Sequence, residues 1–342
     1  MTQSPPEFPD VFQLEEALTT PSEALLADLG EVEGDLLIVG AGGKMGPTLA
    51  RLAKRAAPAK RVTAVSRFSQ QGLRNELESH GVETISCDLF DRQALAALPA
   101  TPNLIYLAGH KFGAATDPSL TWATNALLPW MVVETLSPER IVALSTACVY
   151  PYVDVESAGA DESTPLVPPP GDYAYSCVAR ERLLQHACER FDVAGRIVRL
   201  SYAIDMRYGV LHDVAQAVFA GREIDLTMGF ANVIWQGDAN EQILRLLRST
   251  TRPISPINVT GPERVSIRWL AEEFGARLDR QPRVVGEEAR DAWLIDATQA
   301  CRLFGSPQVS LEQLIDWSAA WVRQGLPSLG KETHFQTRDG AY

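Results

Sequence analysis

The sequence predicts an α/β protein, a doubly wound parallel sheet followed by a smaller C-terminal lobe. Short apolar runs alternate with helical stretches from residue 35 to about residue 204. This is the pattern of parallel strands joined by crossover helices. The first run, "DLLIVG" at 35–40, is continuous rather than alternating, as a central strand covered on both faces requires. It passes directly into a glycine-rich turn and a helix, "GAGGKMGPTLARLAKRA". The remaining strands are expected at 61–67, 82–88, 103–109, 140–146 and 194–203, with helices between them that include 121–136 and 173–189.

Residues 1–33 read as a helical N-terminal extension. In "TTPSEALLADLG", Thr20 is placed to cap, Pro21 to take the first helical position, Glu23 to complete a capping box and Gly30 to end the helix. Past residue 204 the alternation breaks. "GDANEQILRLLRS" (237–249) and "SPINVTG" (255–261) read as one more helix and strand of the sheet. Residues 34–204 and 237–261 then form the main domain, and 205–236 with 262–330 form the second lobe. That lobe ends in "VSLEQLIDWSAAWVRQG", with a Ser310/Gln313 capping box and a stop at Gly325. Residues 331–342 are a polar tail.

Composition narrows the function. Hydrophobic residues make up 46% and charged residues 22%, and the formal net charge is −12. The acidic balance argues against a nucleic-acid partner. No apolar stretch approaches the roughly 18 residues of a membrane span. The polar start "MTQSPPEFPD" lacks a signal sequence's apolar core, so a cytoplasmic location is expected. The five cysteines are scattered without a CxxC pair, so neither a metal site nor a disulfide framework is expected.

The turn after the first strand spaces Gly40, Gly43 and Gly46 as GxxGxxG, between a strand and a helix. Gly40 permits the tight turn, Gly43 lets backbone approach a pyrophosphate, and Gly46 lets helix and strand pack closely. Lys44 and Met45 lie within it. The phosphates would rest on the helix N-terminus, so the main domain is a Rossmann-type dinucleotide-binding domain. The second strand ends in Ser66 and Arg67, with no carboxylate to hold a ribose 2′-hydroxyl. Arg67, with Lys44 as a second positive charge, suits a 2′-phosphate instead. NADP is therefore the expected cofactor, with NAD as the other choice.

Further motifs follow in order: "CDL" (87–89), "YLAGH" (106–110), "TNALLP", "LSTACVYP" (144–151), "ADESTPLVPPPGDYAYS", "VRLSYAIDMRYG" and "LIDATQACRLFG". Together with the glycine turn, they resemble the extended short-chain dehydrogenase/reductase family, the NAD(P)-dependent epimerase/dehydratase group. The resemblance implies that Asp88 and Leu89 hold the adenine and that Leu107, Ala108 and Gly109 pass beneath the cofactor. It makes Asn125 the family's structural asparagine, Thr146 the catalytic hydroxyl and Tyr173 the catalytic tyrosine. The pattern Tyr-x-x-Ser-Lys-x-x-x-Glu-Arg, aligned on Ser176, Glu181 and Arg182, puts Cys177 where the family has lysine.

That departure matters chemically. A phenol with a pKa near 10 is a poor base at neutral pH, and the lysine's charge lowers it. A thiol does not, and Cys177 reads as a small buried filler rather than a reactive thiol. His110 and Lys111, at the carboxyl edge of the sheet, are the candidates for proton carrier and substitute cation, and Arg180 shares a helix face with Cys177. The expected activity is hydride transfer on a carbohydrate-like or polyhydroxylated substrate, as a net redox step or within an epimerisation or dehydration. Substrate contacts are expected from Tyr150, Arg207, Tyr208, Trp235, Gln236 and Asn240. The alternative is a catalytically degenerate dinucleotide-binding sensor. The resemblance also implies a homodimer.

Overall fold

Parallel backbone pairing builds a sheet of seven strands: β1 (Leu36–Val39), β2 (Val62–Ser66), β3 (Glu83–Ser86), β4 (Asn103–Tyr106), β5 (Arg140–Thr146), β6 (Ala194–Leu200) and β7 (Ser255–Val259). The computed structural model describes residues 8–111, 113–331 and 333–340. The spatial order is β7-β6-β5-β4-β1-β2-β3. Chain order therefore reverses between β1 and β4, whose register runs from Leu36↔Asn103 to Val39↔Tyr106. At such a reversal the loops leaving the carboxyl ends diverge and leave a crevice. Each expected strand is present, shorter by a residue or more at most ends.

The apolar run of β1 is continuous because both faces are covered. Leu36 and Ile38 join one core with Leu49, Leu52, Ile243 and Ile257. Leu37 and Val39 join the opposite core with Leu128, Val132 and Leu184. Ile257 in that core places β7 and the Gln236–Arg245 helix with the sheet. A separate core fills the second lobe, where the helices Val210–Ala220, Ile267–Leu278 and Leu311–Arg323 meet through Val214, Phe274 and Trp321. Ser310 caps the last helix by accepting from Gln313 N at 3.2 Å.

The N-terminal segment departs from expectation in two ways. Two helices form, Val11–Leu18 and Glu23–Glu31. The second is capped by Ser22, not Thr20, and runs through Gly30. The Ser22 hydroxyl accepts from Leu25 N at 3.1 Å and donates to Glu241 at 2.6 Å, a tertiary bond that fixes the cap two residues later. Leu14 and Leu18 enter the second lobe's core, whereas Leu25 and Leu29 enter the main core. Residues 1–7 of the expected extension lie outside the described residues.

The described part of the tail packs back on the protein. Thr333 bonds Asp213 through both backbone N and hydroxyl, and Phe335 joins the second lobe's core. Arg338 pairs with Asp291 and stacks 4.2 Å from the Tyr152 ring. Among the described residues, no helix is long and apolar enough to cross a membrane.

Asp238, in the first turn of the Gln236–Arg245 helix, is 7% exposed and accepts from Val309 N at 3.1 Å. Burial lifts its carboxyl to about 6. A raised folded pKa contributes stability that is complete below the unfolded carboxylate range and lost as pH rises through 6. Asp238→Asn is therefore expected to stabilise the fold at pH 7 by about 1–3 kcal/mol and to change little at pH 3.5. Urea unfolding at the two pH values measures this, and equal effects at both would contradict it.

Candidate active site

The glycine turn sits in the crevice between β1 and β4. Gly40 has φ +81°, and a Cβ there would stand 2.4 Å from Ala108 N. Leu107, Ala108 and Gly109 thus run tightly beside it. A Cβ on Gly46 would meet Ala41 O at 2.3 Å, which explains the close approach of helix and strand. Gly43 is different, because its Cβ would meet only Gly40 O, at 3.5 Å. Internal packing does not require glycine at 43, and the space in front of it is what a phosphate needs. No side chain caps the Gly46–Ala56 helix, which leaves its first amides available to an anion. The residues present fit a dinucleotide pyrophosphate.

Ser66 and Arg67 end β2, with Arg67 exposed. Asp88 is exposed beyond β3 and accepts from Phe90 N at 3.0 Å, beside buried Leu89. Lys44 does not join Arg67. Its Nζ donates to Ala203 O at 2.6 Å and lies 4.7 Å over the Tyr208 ring, so it faces the second lobe. The expected second cation for a 2′-phosphate is corrected to a cation of the neighbouring cavity.

That cavity opens between the ends of β5 and β6 and the second lobe. Lys44, Met45, Lys111, Thr146, Tyr173 and Tyr208 line it, with Trp293 at one wall. Thr146 and Cys177 both hydrogen-bond with the Tyr173 phenol. Burial, with Cys177 next, raises the phenol's pKa well above its ordinary value, and Arg180 opposes the rise. Burial pushes the Cys177 thiol, fully inaccessible, up to about 11. It is a neutral thiol at physiological pH rather than a nucleophile. The Lys111 ammonium lies 5.9 Å from the Tyr173 ring centre, and burial lowers its pKa. His110 is not among the lining residues. Its Nδ1 bonds Thr121 Oγ1 at 2.9 Å and its backbone N donates to Asn125 at 2.8 Å, so it anchors the loop after β4.

Asn125 sits in a π-helical turn, Ala123–Leu127, between the helices Pro118–Trp122 and Leu128–Leu136. Such a turn displaces a backbone carbonyl from the usual ladder. The Asn125 carbonyl accepts from Arg180 Nε at 3.1 Å, and its side-chain oxygen accepts from Arg180 Nη2 at 2.6 Å. Its amide donates to His110 O and to Ser176 Oγ. Arg180 Nη1 completes the clasp on Leu144 O at 2.9 Å. This guanidinium is 5% exposed, and among the described residues no carboxylate lies within ion-pair distance. The role of Arg180 was legible only as a shared helix face; the π turn left no sequence signal.

Most of the expected substrate contacts lie elsewhere. Tyr208 lines the cavity. Trp235 packs between Phe8 and Trp317, 5.4 Å from the latter ring. Gln236 and Asn240 both donate to Thr48 Oγ1 at 3.0 Å, joining two helices. Arg207 is held by Asp205 and Glu15. Tyr150 is fully buried and bonds Asn258 at 2.8 Å while accepting from Arg199 at 2.7 Å. These five are corrected to packing and framework residues. Tyr202, Ser201, Cys148 and Trp293 line the cavity and were not foreseen, because the first three occupy motif positions to which the resemblance assigns no role and Trp293 stands outside the motifs.

Comparison with known proteins agrees with this geometry. A family model described as the NAD dependent epimerase/dehydratase family matches residues 36–206. No curated protein sequence matches the chain. Among solved structures, a UDP-glucose 4-epimerase from Thermotoga maritima superposes with TM-score 0.71 at 16% identity, covering 85% of this chain and 99% of that one. A dTDP-glucose 4,6-dehydratase from Streptomyces venezuelae with NAD bound gives TM-score 0.71 at 20% identity, covering 85% and 97%. A UDP-glucuronic acid 4-epimerase from Bacillus cereus gives 0.69 at 17%, covering 85% and 99%.

A lysine at position 177 would bury a second cation beside Arg180. Cys177→Lys is expected to cost about 2–4 kcal/mol in urea unfolding. The same change in an Arg180→Met background is expected to cost less, and an additive pair would show that the two positions do not share one charge site.

Proposed function

The chain belongs to the NAD dependent epimerase/dehydratase family, and from that premise we propose that it is a nicotinamide-dinucleotide-dependent enzyme acting on a carbohydrate-like, polyhydroxylated substrate. The supporting observation is that one cavity unites Met45 of the glycine turn with Thr146 and Tyr173. Gly40, Gly43 and Gly46 would hold the pyrophosphate, Asp88 and Leu89 the adenine, and Leu107 to Gly109 would lie beneath the dinucleotide. Asn125 keeps these loops in register. The cofactor, when bound, supplies a hydride acceptor or donor.

The chain's own residues then orient the substrate and handle the proton. Thr146 offers its hydroxyl to a substrate oxygen. Tyr173 holds the proton at its Oη. Burial favours the protonated phenol, so Tyr173 stands as an acid, and Arg180 and Lys111 supply the positive field that lets it act as a base. Trp293 and Tyr208 give the second lobe's side of the cavity its apolar and hydroxyl surface. A sensor that binds dinucleotide without turnover is the second reading, favoured by the neutral Cys177 thiol where the family has lysine.

Tyr173→Phe is expected to abolish turnover of sugar substrates while changing the cofactor dissociation constant less than about threefold, since the ring's packing is retained. Full activity in that variant would remove Tyr173 from the chemistry. On the cofactor, Arg67 is the remaining cation for a 2′-phosphate. NADP is expected to bind more tightly than NAD, and Arg67→Ala to weaken NADP about tenfold with little effect on NAD. Calorimetry with both dinucleotides decides this, and a tighter NAD complex would reverse the preference.

A further inference from the structure

Residues 333–340 run from the second lobe to the helix that carries Tyr173, and the two ends are held by contacts of different kinds. At the start, Thr333 bonds Asp213 of the Val210–Ala220 helix through its backbone N at 2.9 Å and through its hydroxyl. Phe335 is buried in that lobe's core. At the far end Gly340 lies on Gly171, which caps the Asp172–Arg190 helix just before Tyr173. A Cβ on Gly340 would stand 2.2 Å from Pro170 O, and one on Gly171 would stand 3.0 Å from Gly340 Cα. Gly340 also has φ +75°, a conformation that side chains disfavour. This seat therefore selects glycine on both sides.

Between the ends, Arg338 holds a two-stranded ribbon in which Val153–Asp154 pairs antiparallel with Asp291–Ala292. Its Nη1 donates to Asp291 O at 2.9 Å and to the Met228 sulfur at 3.5 Å, and its Nη2 pairs with the Asp291 carboxylate. The guanidinium lies 4.2 Å from the Tyr152 ring centre, and the Arg338 carbonyl accepts from Tyr152 Oη at 2.8 Å. A planar, forked cation can stack on a ring and bond a carboxylate at once. Tyr152 in turn lies against Trp293, with ring centres 4.7 Å apart, and Cys148 packs into the same cluster.

Trp293 and Cys148 line the cavity that also holds Thr146 and Tyr173. One segment thus backs the Trp293 wall through Arg338 and, two residues on, the Tyr173 helix through Gly340. Small displacements between a substrate's wall and its proton carrier are costly in rate. We infer that residues 333–340 brace the substrate cavity, and that Arg338 is a positioning residue that acts through Tyr152 on Trp293. That the cavity takes substrate rests on the proposed function above. The brace rests on the contacts alone.

The test treats the full chain with iodoacetamide and follows each cysteine by peptide mass spectrometry. Cys148 reports on the wall. Cys301, in the Thr298–Phe304 helix, is also partly exposed and serves as the reference. Arg338→Ala and Gly340→Ala are each expected to speed labelling of Cys148 relative to Cys301 about tenfold. That is the scale of a lost hydrogen bond to a charged group, or of a side chain forced to a positive φ. Arg338→Lys keeps a cation beside Asp291 but loses the planar stack, and is expected to raise the ratio only about threefold. An unchanged ratio in either alanine variant, a rise shared by Cys301, or no recovery in Arg338→Lys overturns the inference. Calorimetry with NAD on the unaltered chain separates the two readings. Failure of NAD to bind overturns the dinucleotide reading, whereas the brace stands or falls with the labelling.

Discussion

A guanidinium with no carboxylate within ion-pair distance among the described residues lies at the carboxyl ends of β4 and β5, and the site is arranged around it. Removing such a charge from water costs several kcal/mol unless its donors are satisfied. Arg180 meets three oxygens, the Asn125 carbonyl, the Asn125 side chain and the Leu144 carbonyl. The widened turn at Ala123–Leu127 frees the first of these for it. In return the guanidinium ties together the loop after β4, the end of β5 and the helix that carries Tyr173. The Asn125 amide extends the tie to His110 and Ser176. A mobile or lost Arg180 would release Thr146 and Tyr173 from a common frame.

The same logic explains why a cysteine is accommodated one turn earlier. With a cation fixed at 180, position 177 is best filled by a group that is small, neutral and tolerant of burial. Cys177 meets that description and also bonds with the phenol.

Those features governed by backbone periodicity were legible in the sequence. The continuous run at Leu36–Val39 revealed a strand buried on both faces, and the glycine spacing revealed the turn beside β4. Side-chain direction was not legible. Lys44 was assigned to the 2′-phosphate because it sits within the turn, but its ammonium is drawn to the Ala203 carbonyl and the Tyr208 ring. Gln236 and Asn240 are expected as substrate contacts, yet both donate to Thr48. The Ser22 cap escaped notice because Glu241, its partner, lies far away in sequence. Each miss came from a long-range contact, which local pattern does not encode.

The short Val11–Leu18 helix bears on how this molecule can breathe. Glu15 grips Arg51 of the sheet-side Gly46–Ala56 helix at 2.7 Å and Arg207 of the opposite lobe at 2.8 Å, while Leu14 and Leu18 are rooted in the latter. The helix is a strut across the junction. A clamshell swing of the two halves would have to break both arginine pairs and uproot the leucines together. Opening at the junction would therefore be easier by local loop rearrangement than by a hinge swing.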